Sequence, residues 1–102
     1  MFDCRYLSDP YYTEELKSLT GRDKKVTDFF DDKRDIQDMI ENALRLINGS
    51  IEPGEEGRIK TIRVCFGCHS GKHRSVYCAE KIATTLKRNK TAEVLLFHHE
   101  IR

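Results

Sequence analysis

Val64-Cys65-Phe66-Gly67-Cys68-His69-Ser70-Gly71-Lys72-His73-Arg74-Ser75-Val76 decides how this chain is read. An apolar run ends at Gly67, a polar loop follows, and beyond Arg74 the residues Val76, Ala79, Ile82, Ala83 and Leu86 recur at helical spacing. A buried strand that feeds a loop and then a helix belongs to a parallel sheet, which makes the chain α/β. In open α/β sheets, ligands bind in the crevice beyond the carboxyl ends of the strands. The first turn of the helix adds unpaired N–H groups and a partial positive charge. Gly71 lets backbone approach a ligand closely, and Lys72, His73 and Arg74 supply donors, Arg74 in bidentate geometry. The amides of His69, Ser70, Gly71, Lys72, His73 and Arg74 then form a cradle whose natural guest is phosphate.

Outward from this loop, residues 58–67 read as a central strand and residues 74–88 as a helix. Toward the amino end, Phe2-Asp3-Cys4-Arg5-Tyr6-Leu7 alternates as a short strand, which Ser8-Asp9-Pro10 ends. Residues 10–22 show no period and read as a long connection of the kind that is functional or mobile. From residue 24 to 48 the apolar positions follow helical spacing, with a break near Asp31-Asp32 and a stop at Asn48-Gly49. Residues 50–57 form an acidic turn, and Val94-Leu95-Leu96-Phe97 lies within a last strand over 93–99. The expected order is β-α-β-α-β, a small, mostly parallel sheet with right-handed crossovers in a single domain over 1–102.

The 102 residues carry a formal net charge of +1 and are 34% charged and 38% hydrophobic. The near-neutral total hides a division. Residues 1–57 hold 8 Lys/Arg against 14 Asp/Glu, whereas residues 58–90 hold 9 Lys/Arg against Glu80 alone. Two readings follow: the halves neutralise each other when packed, or the basic half binds an anion or a polyanion backbone. The longest apolar runs are strand-sized, so no segment is expected to span a bilayer, and no membrane partner is expected. The first residues carry no secretory pattern, and a cytoplasmic location is the expectation. In a reducing compartment the four cysteines are expected as thiols, metal ligands or a catalytic group, not as disulfides.

Cys65-x-x-Cys68 with His69 and His73 invites a zinc reading. However, residues three apart on a strand point to opposite faces and no second ligand pair follows, so neither metal nor cofactor is expected. Cys65 and Cys78 read as small core residues. Cys68 is the cysteine placed for function. Its spacing, Cys68-x5-Arg74-Ser75, fits the loop of cysteine-dependent phosphatases. There a thiolate attacks phosphorus, Ser75 helps it leave, and an Asp such as Asp9 or Asp23 protonates the departing alcohol. His98 or His99 is expected near the same sheet edge. Tyr11-Tyr12 and Phe29-Phe30 read as core or lid residues rather than base-stacking platforms.

Two motif blocks carry a resemblance. Gly67-Cys68-x-x-Gly71-x-His73-Arg74-Ser75-Val76-Tyr77 and Phe2-Asp3-x-Arg5-x-Leu7-x-x-Pro10-Tyr11 followed by Leu19-Thr20-Gly21-x-Asp23, continued by Ala79-Glu80-Lys81-Ile82-Ala83 and His98-x-Glu100, resemble the C-terminal domain of the RNase adapter protein RapZ. The resemblance covers nearly the whole chain. It implies a fold related to a phosphofructokinase subdomain, binding of glucosamine-6-phosphate and of a small regulatory RNA, and assembly into homo-oligomers. It further implies a sugar-phosphate pocket lined by Asp3, Arg5, Cys68, Gly71, His73 and Arg74, with Thr20 and Gly21 beside it. Tyr11 stands where some members carry a ligand-contacting His, and His69-Ser70 replaces a Thr-Gly pair. The P-loop signature of the family's nucleotide-binding domain does not occur in these residues, so NTPase activity is not expected of them.

Overall fold

The computed structural model describes residues 1–10, 14–50, 62–69, 71–89 and 93–100. Among them the elements run β1 (Phe2–Asp3), α1 (Lys24–Asp31), α2 (Arg34–Ser50), β2 (Phe66–Gly67) and α3 (Arg74–Asn89). The two strands pair in parallel, Phe2 opposite Phe66 and Asp3 opposite Gly67. Phe2 N–H donates to Cys65 O and Cys4 N–H to Gly67 O, both at 2.7 Å. The Phe2 and Phe66 rings stack with centroids 5.2 Å apart. Such cross-strand aromatic pairs fix register as well as adding stability. The fold is α/β, and both strands end at the edge from which residues 68–73 lead into α3.

Each helix buries one stripe. α1 contributes Val26 and Phe30, α2 contributes Ile36, Ile40, Ala43 and Ile47, and α3 contributes Val76, Tyr77, Cys78, Ile82, Ala83 and Leu86. The expected break falls between α1 and α2, where Lys33 N–H turns back to Phe30 O at 3.0 Å. Tyr77 joins this corner to α3. Its hydroxyl donates to Asp31 Oδ1 at 2.7 Å and accepts from Gln37 Nε2 at 3.0 Å, and Gln37 also donates to Phe30 O at 2.9 Å. Burial, aided by the Asp31 carboxylate, pushes the Tyr77 phenol far above its ordinary range, so the group stays a donor.

Several expectations need correction. β1 is shorter than residues 2–7 because Cys4 is the last residue whose N–H reaches β2. The described part of the central strand is Phe66–Gly67, and residues 58–61 lie outside the described residues, as does most of the acidic turn. Cys65 is exposed, not core, since it faces away from the side on which Val64 and Phe66 pack. α2 continues through Gly49, which meets nothing within 4 Å of a built Cβ and needs no special conformation there. The last strand over 93–99 is not found. No pairing between described residues includes it, and Leu95 and Phe97 remain exposed. Hydrophobic alternation makes a segment suited to a strand, but a strand exists only where a neighbour supplies N–H and C=O groups.

The acidic and basic parts of the chain meet in this packing. Asp9 pairs with Arg74 and Asp31 with Lys81, while Arg22 and Glu80 pair across the same boundary in the opposite sense. No helix of the described residues is long and apolar enough to cross a membrane. Tyr77→Phe deletes the donor to Asp31 and the acceptor for Gln37, so it is expected to lower unfolding free energy by about 1–3 kcal/mol, read from urea denaturation.

Candidate functional site

The loop after β2 ends in His73, whose carbonyl accepts the first intrahelical bond of α3 from Tyr77 N–H at 2.9 Å. The N–H groups of Arg74, Ser75 and Val76 therefore precede any intrahelical acceptor, and α3 points the positive end of its dipole toward the loop. Gly71 sits at φ +70, the left-handed conformation that lets the chain turn into the helix. Cys68 Sγ donates to Ser75 Oγ at 3.3 Å, tying the start of the loop to the first turn of α3. His73 is 3% exposed, and its Nε2 is buried with no hydrogen-bond partner. Lys72 and His69 are exposed, and Ser70 lies outside the described residues.

The turn holding Thr20 and Gly21 packs directly on this helix start. Gly21 N–H donates to Lys72 O at 2.6 Å, and a Cβ on Gly21 would stand 2.6 Å from both His73 O and Tyr77 N. Only glycine fits. Thr20 N–H donates to Asp23 Oδ2 at 2.7 Å, which fixes the turn before α1. Asp23 is thereby engaged locally.

From the other side comes the segment after β1. Arg5 Nη2 reaches Asp3 Oδ2 at 2.7 Å and Arg5 Nε reaches Oδ1 at 2.9 Å, so the pair is bidentate and exposed. The Arg5 hydrogen bonds, with a smaller contribution from the nearby charge of His69, hold the Asp3 carboxyl down at about 2. Asp3 is thus an anion at the mouth of the loop at any physiological pH.

Arg74 is placed differently from the expectation of a phosphate contact. It is 3% exposed, its Nη1 donates to Arg5 O at 2.7 Å and to Leu7 O at 3.3 Å, and its Nη2 lies 3.1 Å from Asp9 Oδ2. Both terminal nitrogens thus hold the chain itself. Their binding pulls residues 5–9 against α3, while Ser8 N–H and Oγ bind Asp35 on α2. In the phosphatase reading, Arg74 would grip a phosphoryl group and Asp9 would donate a proton. In the structure these two side chains are joined to each other.

Cys78 is core, as expected, and further contacts join distant parts of the chain. Cys4 and Cys78 are both fully buried and hydrogen-bonded to each other, and that contact together with burial pushes the Cys78 thiol up. The His98 side chain is 8% exposed, with Nε2 3.6 Å from Glu80 Oε1 on α3. Glu100 lies over Gly71. None of these is signalled by local spacing. Among the described residues no three His, Cys, Asp or Glu side chains are grouped to hold a metal ion.

A sequence profile of the RapZ C-terminal domain matches residues 1–102. The chain belongs to the RapZ C-terminal domain family. It is 38% identical over 100 residues to a nucleotide-binding protein of Neisseria meningitidis serogroup C, covering 98% of this chain and 34% of that protein. A nucleotide-binding protein of Xanthomonas euvesicatoria pv. vesicatoria is 36% identical over 100 residues, covering 98% of this chain and 36% of the relative. One from Xylella fastidiosa is 35% identical over 101 residues, with 99% and 35% covered. The chain thus spans about a third of the length of these RapZ-family relatives.

Two predictions follow from this geometry. Arg74→Ala strips the guanidinium from Asp9 and from two carbonyls, and is expected to lower unfolding free energy by about 3–5 kcal/mol in urea titration. Arg74→Lys restores only part, because an ammonium cannot fork to three acceptors in one plane. For Asp3, the folded value lies below the ordinary 3.8, so its ion pair is intact above about 4 and is lost as pH falls through about 2. A carboxyl NMR titration should show that midpoint in the native chain and return it toward 3.8 in Arg5→Ala.

Proposed function

We propose that this RapZ C-terminal domain is a sensor and adaptor module that binds a phosphorylated amino sugar, glucosamine-6-phosphate being the expected ligand. The observation that carries the reading is convergence. Asp3 at the end of β1 and Arg5 just after it, the Thr20-Gly21 turn, and the loop of Cys68, Gly71, Lys72 and His73 meet at the carboxyl edge of two parallel strands and at the amino end of α3. The buried, unpartnered Nε2 of His73 is a second support, since a buried polar atom without a partner is costly unless something completes it.

In this reading the phosphate sits against the loop amides and the first turn of α3, with Lys72 as an exposed point charge beside it. Asp3, held ionised by Arg5, accepts the ammonium of the sugar. Arg74 is a positioning residue. It holds residues 5–9 against α3, which sets Arg5 beside the strand-held Asp3. Binding without bond breaking suits a sensor, because the site then reports ligand concentration through the surface it orders.

Isothermal titration calorimetry tests this. The native chain should bind glucosamine-6-phosphate more tightly than glucose-6-phosphate. Asp3→Asn should weaken the amino sugar by about tenfold while changing glucose-6-phosphate little, the loss expected for one charge-assisted hydrogen bond. Absence of heat with every phosphorylated sugar at millimolar concentration would overturn the reading.

A further inference from the structure

The carboxyl-terminal part of the described chain is laid along α3 and ends on the loop. Val94 packs against the core, the His98 side chain is almost buried with Nε2 3.6 Å from Glu80 Oε1, and Glu100 reaches Gly71. The last contact is close. A Cβ built on Gly71 would stand 2.6 Å from Glu100 Cγ, 3.3 Å from its Cβ and 3.9 Å from its carboxyl carbon. The aliphatic part of the Glu100 side chain therefore fills the space that the missing Cβ leaves, with its carboxyl carbon next to it over Gly71. Gly71 is needed here twice, once for its φ of +70 and once because any side chain would displace Glu100.

We propose that Glu100 is an electrostatic gate on the anion loop: its carboxylate stands at the rim of the site, and an incoming phosphate must turn it aside. The inference rests on the phosphate-binding reading of that loop and adds its regulation. The same features draw both anions, namely the amino end of α3 and the Lys72 ammonium. Because the side chains of Val94 and His98 are packed against the rest of the domain, the Glu100 carboxylate is present at high effective concentration. Glu100 is exposed, so its side chain can rotate outward by ordinary rotamer changes. The gate is consequently weak and fast. It sets a threshold for ligand, since two anions a few ångströms apart repel by an amount worth about three- to tenfold in affinity at a solvent-exposed rim.

The reciprocal consequence concerns the tethered segment. Ligand that displaces Glu100 loosens residues 98–100 from the loop, so occupancy of the site changes the surface next to Leu95 and Phe97, both exposed. A phosphorylated ligand would thus be reported at the carboxyl end of the domain.

The test compares the native chain with Glu100→Gln and Glu93→Gln by calorimetry, using glucosamine-6-phosphate and inorganic phosphate as probes at low and high salt. Glu93→Gln makes the same charge change on the same segment. Glu100→Gln should bind both probes about three- to tenfold more tightly than the native chain at low ionic strength, and the gain should shrink at 0.5 M salt, where charges at the surface are screened. Glu93→Gln should gain little. Equal affinity of Glu100→Gln and the native chain, or an equal gain in both variants, would overturn the gate and leave the phosphate-binding reading standing. Failure of every variant to bind either probe would overturn both.

Discussion

The guanidinium of Arg74 holds together the two parts of the chain on which the candidate site depends. From the first turn of α3 it reaches Arg5 O, Leu7 O and Asp9, residues more than sixty positions earlier in the sequence. A charge this deeply buried is tolerated only when several acceptors replace its hydration. Arginine suits that demand better than lysine, since its donors fan out in one plane and can serve carbonyls and a carboxylate together. Without this clamp β1 and β2 would still pair over two residues, but nothing comparable would bring the chain beyond Cys4 back to the loop. The position of residues 5–9 relative to α3 thus depends on one buried side chain, whereas Asp3 is placed by the pairing of β1 with β2.

Around that clamp the rest of the architecture is made of close backbone approaches. Gly21 brings the connection before α1 to within van der Waals contact of the α3 terminus, and Gly71 brings the loop under Glu100. Tyr77 closes the other side by joining α3 to the corner between α1 and α2. The helix start is consequently surrounded by three segments from distant parts of the chain, which keeps its neighbours in fixed geometry. Charge follows the same plan. Asp9 and Asp31 of the acidic first part pair with Arg74 and Lys81 of α3, and Lys72 stays exposed at the loop.

Much of this was legible in the residues. The helices came from apolar spacing, which survives in any environment that buries one face, and the break near Asp31-Asp32 was visible where the stripe skipped. The loop from Cys68 to Arg74 was legible because a strand, two glycines and a helix start have few physical uses. Cys65 was misread, since its exposure depends on which side of β2 the helices cover. The expected strand over 93–99 was misread for a related reason: alternation of apolar residues records suitability for an extended path, while pairing depends on a neighbour.

Sequence by itself determined the class of fold, the two motif blocks and the family, because these rest on local spacing and on residue order. Tertiary structure alone decided that Arg74 holds Arg5, Leu7 and Asp9, that Cys4 and Cys78 are buried together, and that Glu100 covers Gly71. Each of those contacts joins residues far apart in sequence, and only the packed arrangement of α3 against both ends of the chain brings them together.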